Sequence, residues 1–150
     1  MLHYLHFRDH YRTDSDLWVY KSLLCQLSNS IDPKIEIWIL RNKLDKMLAD
    51  MHYHIYLAID DDHIVGTATL LLEETFLHDC SLNAHLENLV VHDSYRGQGI
   101  ASHLIDLVIQ HARQDGAYKL ILDCVPEIQH LYAKSWFQVR SVQMRMDFDH

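Results

Sequence analysis

The spacing of apolar residues changes period several times along the chain. Stretches in which apolar side chains recur every three to four residues predict helices, and shorter stretches in which they alternate predict strands. In chain order the predicted elements are a strand at 2–7, helices at 14–29 and 33–51, strands at 54–59, 64–72 and 86–91, a helix at 102–114, a strand at 119–123, a helix at 127–134 and a strand at 139–148. This β-α-α-β-β-β-α-β-α-β order predicts an α/β fold with one mixed sheet, in a single domain over residues 1–150.

Local signals refine several of these boundaries. Asp14 or Ser15 is the expected N-cap of the first helix. Asp32 is expected to cap the second helix, with Pro33 at its first position. Gly66 interrupts the second strand of a hairpin and is the expected site of a β-bulge.

Composition limits the classes of partner. Hydrophobic residues make up 49% and charged residues 23% of the 150 residues, an ordinary globular balance, and the net charge of -8 argues against nucleic acid as a partner. Met1 to Phe7 has neither a positive n-region nor an apolar run of signal-peptide length, so no signal peptide is expected, and no stretch approaches the ~20 apolar residues of a membrane helix. The three cysteines form no CxxC pair, which favours a reducing compartment, so we expect a cytoplasmic protein. The 13 histidines scatter without the spacing of zinc ligands, and no metal is predicted.

The segment from Leu89 to Ala101 carries the strongest chemical signal. It joins an apolar strand to an amphipathic helix through a turn that holds two of the four glycines of the chain. Glycine permits positive φ and close approach of a ligand, and the backbone N–H groups at a helix start form an anion cradle suited to pyrophosphate. Such a turn by itself fits a tight connection equally well. The segment lacks the Gly-Lys-Ser/Thr of a Walker loop and the third glycine of a dinucleotide fingerprint.

Two motifs together point to a family. The run Arg96-Gly97-Gln98-Gly99-Ile100-Ala101 resembles the GNAT signature Arg/Gln-x-x-Gly-x-Gly/Ala. About 30 residues later, the run from Leu131 to Phe137 resembles the second motif of that family, Tyr-x-Lys-x-Gly-Phe. The chain is therefore identified as a member of the GNAT superfamily. Over roughly residues 75 to 137 it is similar to the eukaryotic-type glucosamine-6-phosphate N-acetyltransferases, most closely from Gly116 to Cys124.

This resemblance implies an N-acetyltransferase that moves the acetyl group of acetyl-CoA to the amine of glucosamine 6-phosphate by direct attack. It further implies a homodimer with the site at the interface, acetyl-CoA as the only cofactor and no contact with nucleic acid or membrane. The residues implied to bind acetyl-CoA are Leu89, Val90, Val91, Arg96, Gly97, Gln98, Gly99, Ile100, Ala101, Tyr132 and Lys134.

The resemblance also implies an acceptor site and catalytic roles. Tyr132 occupies the position of the general acid, and Asp123 or Glu87 is the candidate base, although either carboxylate could instead bind substrate hydroxyls. The residues implied to bind the amino sugar phosphate are Ser28, Thr75, Phe76, Leu77, His78, Glu87, Asn88, Tyr118, Lys119, Asp123 and Arg145.

Four positions depart from the family pattern. Asn88 replaces a common Asp, and Thr75 replaces a basic residue. Asp147 stands where the family has an Arg, and we expect Arg145, two residues earlier on the same predicted strand face, to substitute for it. Trp136 replaces the Gly of the second motif, and because Trp tolerates positive φ poorly, we expect the local turn to differ.

Two other functions remain open from the sequence. One is a GNAT enzyme that acetylates another small amine or a peptide amine, which the acidic composition would suit. The other is a non-catalytic acetyl-CoA-binding module.

Overall fold

The computed structural model describes residues 1–10 and 13–149 of the chain. The strands are β1 His3–His6, β2 Tyr53–Asp60, β3 His63–Glu74, β4 Leu82–Val91 and β5 Ala117–Ile121. The helices are α1 Asp14–Cys25, α2 Ile37–Ala49, the single turn α3 Leu77–Cys80, α4 Ile100–Gln114 and α5 Gln129–Ala133. Short 3₁₀ helices occupy Phe7–Asp9, Asp93–Tyr95 and Pro126–Ile128.

The five strands form one sheet in the order β1-β2-β3-β4-β5. The first four pair antiparallel, and β5 is parallel to β4. Consecutive residues of a strand point to opposite faces, so Leu57 and Ala58, both fully buried, belong to different apolar clusters. One cluster includes residues of α4, and the other includes residues of α1 and α2. The predicted α/β class with a mixed sheet is confirmed.

Gly66 allows α4 to lie close to the sheet. A Cβ at this position would come within 3.2 Å of Ile100 and 3.3 Å of Leu104, tighter than ordinary van der Waals contact. The predicted bulge is one residue away, because the pairing shift between β2 and β3 leaves Val65 without a partner. The first turn of α4 is therefore held directly against β3.

A second irregularity lies in β4. Asn88 and Leu89 together face the single residue Ala68 of β3, which is a β-bulge. Asn88 has φ 52°, in the left-handed region that Asn enters more readily than most residues. The bulge reorients the peptide groups on the β4 segment that the sequence assigns to acetyl-CoA.

The start of α1 differs from the prediction. Its N-cap is Thr13, not Asp14 or Ser15, and the hydroxyl of Thr13 accepts the Asp16 N–H at 3.1 Å. The carboxylate of Asp16 in turn accepts the Thr13 N–H at 2.8 Å, which completes a capping box. The helix ends at Cys25, four residues earlier than expected.

The start of α2 is also shifted. The carboxylate of Asp32 accepts the Lys34 N–H at 2.8 Å, so its side chain closes a local turn instead of capping a helix. The helix begins at Ile37, after Glu36 as N-cap.

The predicted last strand, 139–148, is wrong for this structure. Residues 138–149 contain neither helix nor strand. The alternating side chains of Val142, Met144 and Met146 are 85%, 91% and 77% exposed. An isolated strand cannot satisfy its backbone hydrogen bonds. Alternating apolar residues therefore do not form a strand unless a neighbouring strand pairs with them.

Cys25, Cys80 and Cys124 are free thiols. Within the described ranges, no helix has the length and apolar content needed to cross a membrane.

Candidate active site

The two central strands of the candidate site part from each other. The parallel pairing of β5 with β4 covers only Leu82 to His85 of β4. Beyond His85, β4 continues to Val91 with no strand partner on that side in the described part of the chain. The backbone N–H and C=O groups along this edge can therefore pair with an extended ligand, as an added strand would.

The predicted glycine turn is present at the end of the parting strand. Gly97 and Gly99 have φ 77° and 81°, which non-glycine residues rarely adopt. Gly99 is the N-cap of α4, and no side chain of the described residues caps this helix. The first N–H groups of a helix have no intrahelical acceptor, and the helix dipole adds positive potential there. These features of the turn suit a phosphate-bearing ligand.

Arg96 fixes this turn to the sheet. Its Nε donates to the carbonyl of Val91 at 3.1 Å, which links the turn to the end of β4. Gln98 is exposed, whereas Ile100 is 1% exposed and packs in the core. Val90 is buried as well, so the predicted acetyl-CoA residues divide into exposed turn residues and core residues whose side chains pack inside the protein.

Tyr132 joins the same apolar cluster as Val91 and Ile100. Burial, together with the neighbouring Cys124, raises the pKa of the Tyr132 hydroxyl above its usual 10.0. The hydroxyl therefore keeps its proton at neutral pH and can act as an acid.

The turn after Tyr132 keeps its left-handed form despite Trp136. The N–H of Phe137 donates to the carbonyl of Tyr132 at 3.3 Å, and that of Trp136 donates to Ala133 at 3.1 Å, which is a Schellman cap. The expectation of a different turn is wrong: Trp136 itself adopts φ 69°. Its side chain is 92% exposed, so bulk creates no clash.

Three predicted acceptor residues come together. The ring of His78 stacks on that of Tyr118 with centroids 3.8 Å apart, and the Lys119 ammonium lies 5.2 Å from the centroid of the Tyr118 ring. His78 and Asp79 have positive φ within α3, which makes this segment a tight left-handed turn. The turn brings a ring from the β3–β4 connection onto β5.

A cavity of about 910 Å³ connects several predicted roles. Its lining includes Tyr118, Lys119, Asp123 and Tyr132. The size suits a small-molecule ligand. Asp123 lies beyond the end of β5, where its carboxylate accepts a hydrogen bond from the Gln143 side chain at 2.9 Å. The C-terminal segment therefore forms part of the cavity wall.

Two other predicted acceptor residues lie apart from this group. The hydroxyl of Ser28 bonds to that of Ser30 at 2.9 Å. Arg145 forms an exposed ion pair with Asp147 and is not brought to Lys119.

The remaining predicted residues are exposed at the edges of the site. Glu87 is exposed on β4, and Lys134 is exposed at the end of α5. Thr75 holds its own loop, since its hydroxyl accepts the Leu77 N–H at 3.1 Å. The Phe76 and Leu77 side chains are 94% and 64% exposed.

The sequence patterns did not reveal one group of side chains that could ligate a metal ion. His54, His111 and Asp115 each place one ligand atom within 4.8 Å of the others. The i,i+4 spacing of His111 and Asp115 was the available signal, because such residues share a helix face. The contribution of β2 was not visible from spacing.

Comparisons with known proteins agree with this geometry. Two strands that part beside a helix start with no side-chain cap suit an extended anionic ligand. The profile of the acetyltransferase (GNAT) family matches residues 14–136, and the chain belongs to that family.

Its relatives include enzymes of one named activity. Glucosamine 6-phosphate N-acetyltransferase 1 of Oryza sativa subsp. japonica is 32% identical over 129 residues, which cover 84% of this chain and 77% of that protein. Glucosamine 6-phosphate N-acetyltransferase of Arabidopsis thaliana is 30% identical over 99 residues, which cover 64% of this chain and 66% of that protein. The crystal structure of glucosamine-6-phosphate N-acetyltransferase from Arabidopsis thaliana matches with a TM-score of 0.88 at 23% identity, over 99% of both chains.

Proposed function

We propose that this chain is an acetyl-CoA-dependent N-acetyltransferase that converts glucosamine 6-phosphate to N-acetylglucosamine 6-phosphate, in the cytoplasm. The observation that carries the proposal is the free N-terminus of α4, opened by Gly97 and Gly99, beside the unpaired edge of β4. The named activity of the rice and Arabidopsis relatives supports the choice of acceptor.

The proposed acetyl-CoA site uses backbone more than side chains. The N–H groups from Arg96 to Ala101 hold the diphosphate, because the helix dipole and the positive-φ glycines favour an anion there. The free edge of β4 from Leu89 to Val91 pairs with the pantetheine arm. Acetyl-CoA supplies an acetyl group activated as a thioester.

The proposed amino sugar site lies in the cavity that Tyr118, Lys119 and Asp123 line. Lys119 provides a cation for the phosphate. The Tyr118 ring, which stacks on His78, holds the Lys119 ammonium in place. Asp123 and Glu87 are the carboxylates available to hydrogen-bond the sugar and to accept the proton of its amine.

The proposed chemistry is direct attack of the free amine on the thioester carbonyl. A backbone N–H near the bulge at Leu89 stabilises the developing oxyanion, because the bulge frees peptide groups from the sheet ladder. Tyr132 donates its proton to the departing thiolate, and its raised pKa keeps that proton available at neutral pH.

A second copy of the chain is the proposed cover for the C-terminal segment. Val142, Met144 and Met146 repeat every second residue and are exposed, so the irregular C-terminal segment of each copy presents apolar side chains to solvent. In a homodimer this segment also brings Arg145 to the interface. Light scattering should give twice the monomer mass for the wild type and a lower mass for Met144→Lys, with Ser141→Lys as control. A monomeric wild type would contradict the dimer.

The activity test is thiol release from acetyl-CoA with different acceptors. We expect turnover with glucosamine 6-phosphate and little with glucosamine, because Lys119 recognises the phosphate. Lys119→Ala should raise KM for the sugar phosphate about 10- to 150-fold, the factor that corresponds to a hydrogen bond to a charged group, whereas Lys46→Ala on the surface of α2 should not. Turnover only with other amines would show that glucosamine 6-phosphate is not the acceptor. Acetyl-CoA binding without any turnover would refute the proposed enzymatic activity.

A further inference from the structure

A second polar cluster lies between β2 and the C-terminal end of α4. The rings of His54 and His111 are 4.0 Å apart between centroids, and Asp115 is the C-cap of α4. His111 is 11 residues beyond the first residue of α4, about 16 Å along the helix axis. The cluster therefore has no part in the acetyl-CoA site. We propose that His54, His111 and Asp115 bind one Zn²⁺ ion.

The distances suit a single ion. The three ligand atoms lie within 4.8 Å of one another. Zn²⁺ binds nitrogen and carboxylate oxygen at about 2.0–2.2 Å, which places tetrahedral ligand atoms about 3.4 Å apart. His111 Nε2 and Asp115 Oδ2 are already 3.4 Å apart, and the ligand atom of His54 lies within 4.8 Å of both.

The protonation states also suit a metal. Metal-binding histidines commonly donate their second N–H to a nearby acceptor, which fixes the tautomer. His111 Nδ1 lies 2.6 Å from the Tyr56 hydroxyl oxygen, so Nδ1–H can face Tyr56 and leave the Nε2 lone pair to the ion.

An unpartnered nitrogen marks the buried side of the cluster. His54 is 6% exposed, and its Nε2 has no hydrogen-bond partner among the described residues. Buried polar atoms are usually paired, and a coordinated ion or its water would pair this one. Imidazole with carboxylate is a ligand set that suits Zn²⁺ better than Mg²⁺, which requires oxygen ligands.

Two neighbours define the limits of the site. His6 lies 5.5 Å from His54 between ring centroids, but its Nδ1 accepts the Arg8 N–H at 3.0 Å, so its Nε2 carries the proton. The fourth position is therefore left to water. The guanidinium of Arg8 donates to backbone carbonyls that include that of Leu48 at 2.9 Å. Its positive charge repels a metal ion, and the negative charge of the Asp115 carboxylate offsets this repulsion.

The test uses the full chain after removal of metal with a chelator. Calorimetric titration with ZnCl₂ should give one site per chain, and saturating Zn²⁺ should raise Tm by about 5 °C or more. Co²⁺ should give the intense visible absorption of a tetrahedral site, and Mg²⁺ should not compete.

Variants separate this site from loose binding by other histidines. Asp115→Ala, at an exposed helix end, should keep the fold and lower Zn²⁺ affinity about tenfold or more, and Tyr56→Phe should lower it about 10- to 100-fold. His103→Ala, on the same helix but outside the cluster, should leave affinity unchanged. Stoichiometric binding unaffected by Asp115→Ala, or no saturable binding to the wild type, would overturn the proposal whatever the acetyltransferase assay shows.

Discussion

Gly99→Ala tests the helix start that carries the proposed acetyl-CoA site. Gly99 has φ 81° and ψ 3°, and apart from Gly99 itself and its two neighbours in the chain, no described residue comes within 4 Å of the position of an added Cβ. The substitution therefore acts through backbone strain alone. Alanine in the left-handed region costs about 1–2 kcal/mol, and the stiffer unfolded chain returns about 0.4–1 kcal/mol. We expect a net loss of stability of about 1 kcal/mol, or ~2–4 °C in Tm for a chain of this size.

The effect on the ligand should be larger than the effect on stability. Relaxation of the turn moves N–H groups away from the diphosphate, and a hydrogen bond to a charged group contributes about 1.5–3 kcal/mol. Acetyl-CoA should therefore bind about 10- to 150-fold more weakly, as measured by calorimetry.

Gly116→Ala is a matched control. Gly116 also has φ 81° and open space around it, but it follows the opposite end of α4. Both variants should lose similar stability, and only Gly99→Ala should lose acetyl-CoA affinity. Equal acetyl-CoA affinity in both variants would refute the assignment of this turn to the diphosphate.

Three further predictions concern single side chains. Tyr132→Phe should lower kcat about 10²–10⁴-fold with the fold intact, and unchanged turnover would exclude the acid role. Because the pKa of the Tyr132 hydroxyl is raised, its ionisation should cause no loss of wild-type kcat below about pH 10. Trp136→Gly should raise Tm by about 1–4 °C, because it relieves a left-handed residue whose side chain is 92% exposed; an unchanged or lower Tm would show that the strain is absent. Burial alone would raise the pKa of Asp16, but hydrogen bonds from the amide and hydroxyl of Thr13 outweigh it and lower that pKa. Asp16 should therefore stabilise the fold above its unfolded pKa near 3.9 and lose that contribution as pH falls through the lower folded value. Denaturation of Asp16→Asn across this range should show less dependence on pH, and an equal dependence would contradict the capping role.

Local rules explain which features were predictable. The glycines at 97 and 99 occupy the left-handed conformation that glycine favours, so residue type alone was enough to place the turn. The helix starts were less certain, because Thr13, Asp14 and Ser15 are all good caps and the choice depends on the reciprocal bond with Asp16. Trp136 shows the limit of propensity: a Schellman cap and an exposed side chain allow a residue that the backbone disfavours.

The sequence by itself determined the family, the alternation of helices and strands, and the turn that begins α4, because these depend on neighbouring residues and on motif spacing. Only the tertiary structure decided where β4 and β5 part, how His78 meets Tyr118, and that His54 lies against His111. The two ring pairs join residues that are 40 or more positions apart in the sequence. Strand register and helix placement decide which of these distant residues meet. The wrong prediction at 139–148 has the same cause. Alternation of apolar residues is a local pattern, but a strand forms only where a neighbouring strand pairs with its backbone.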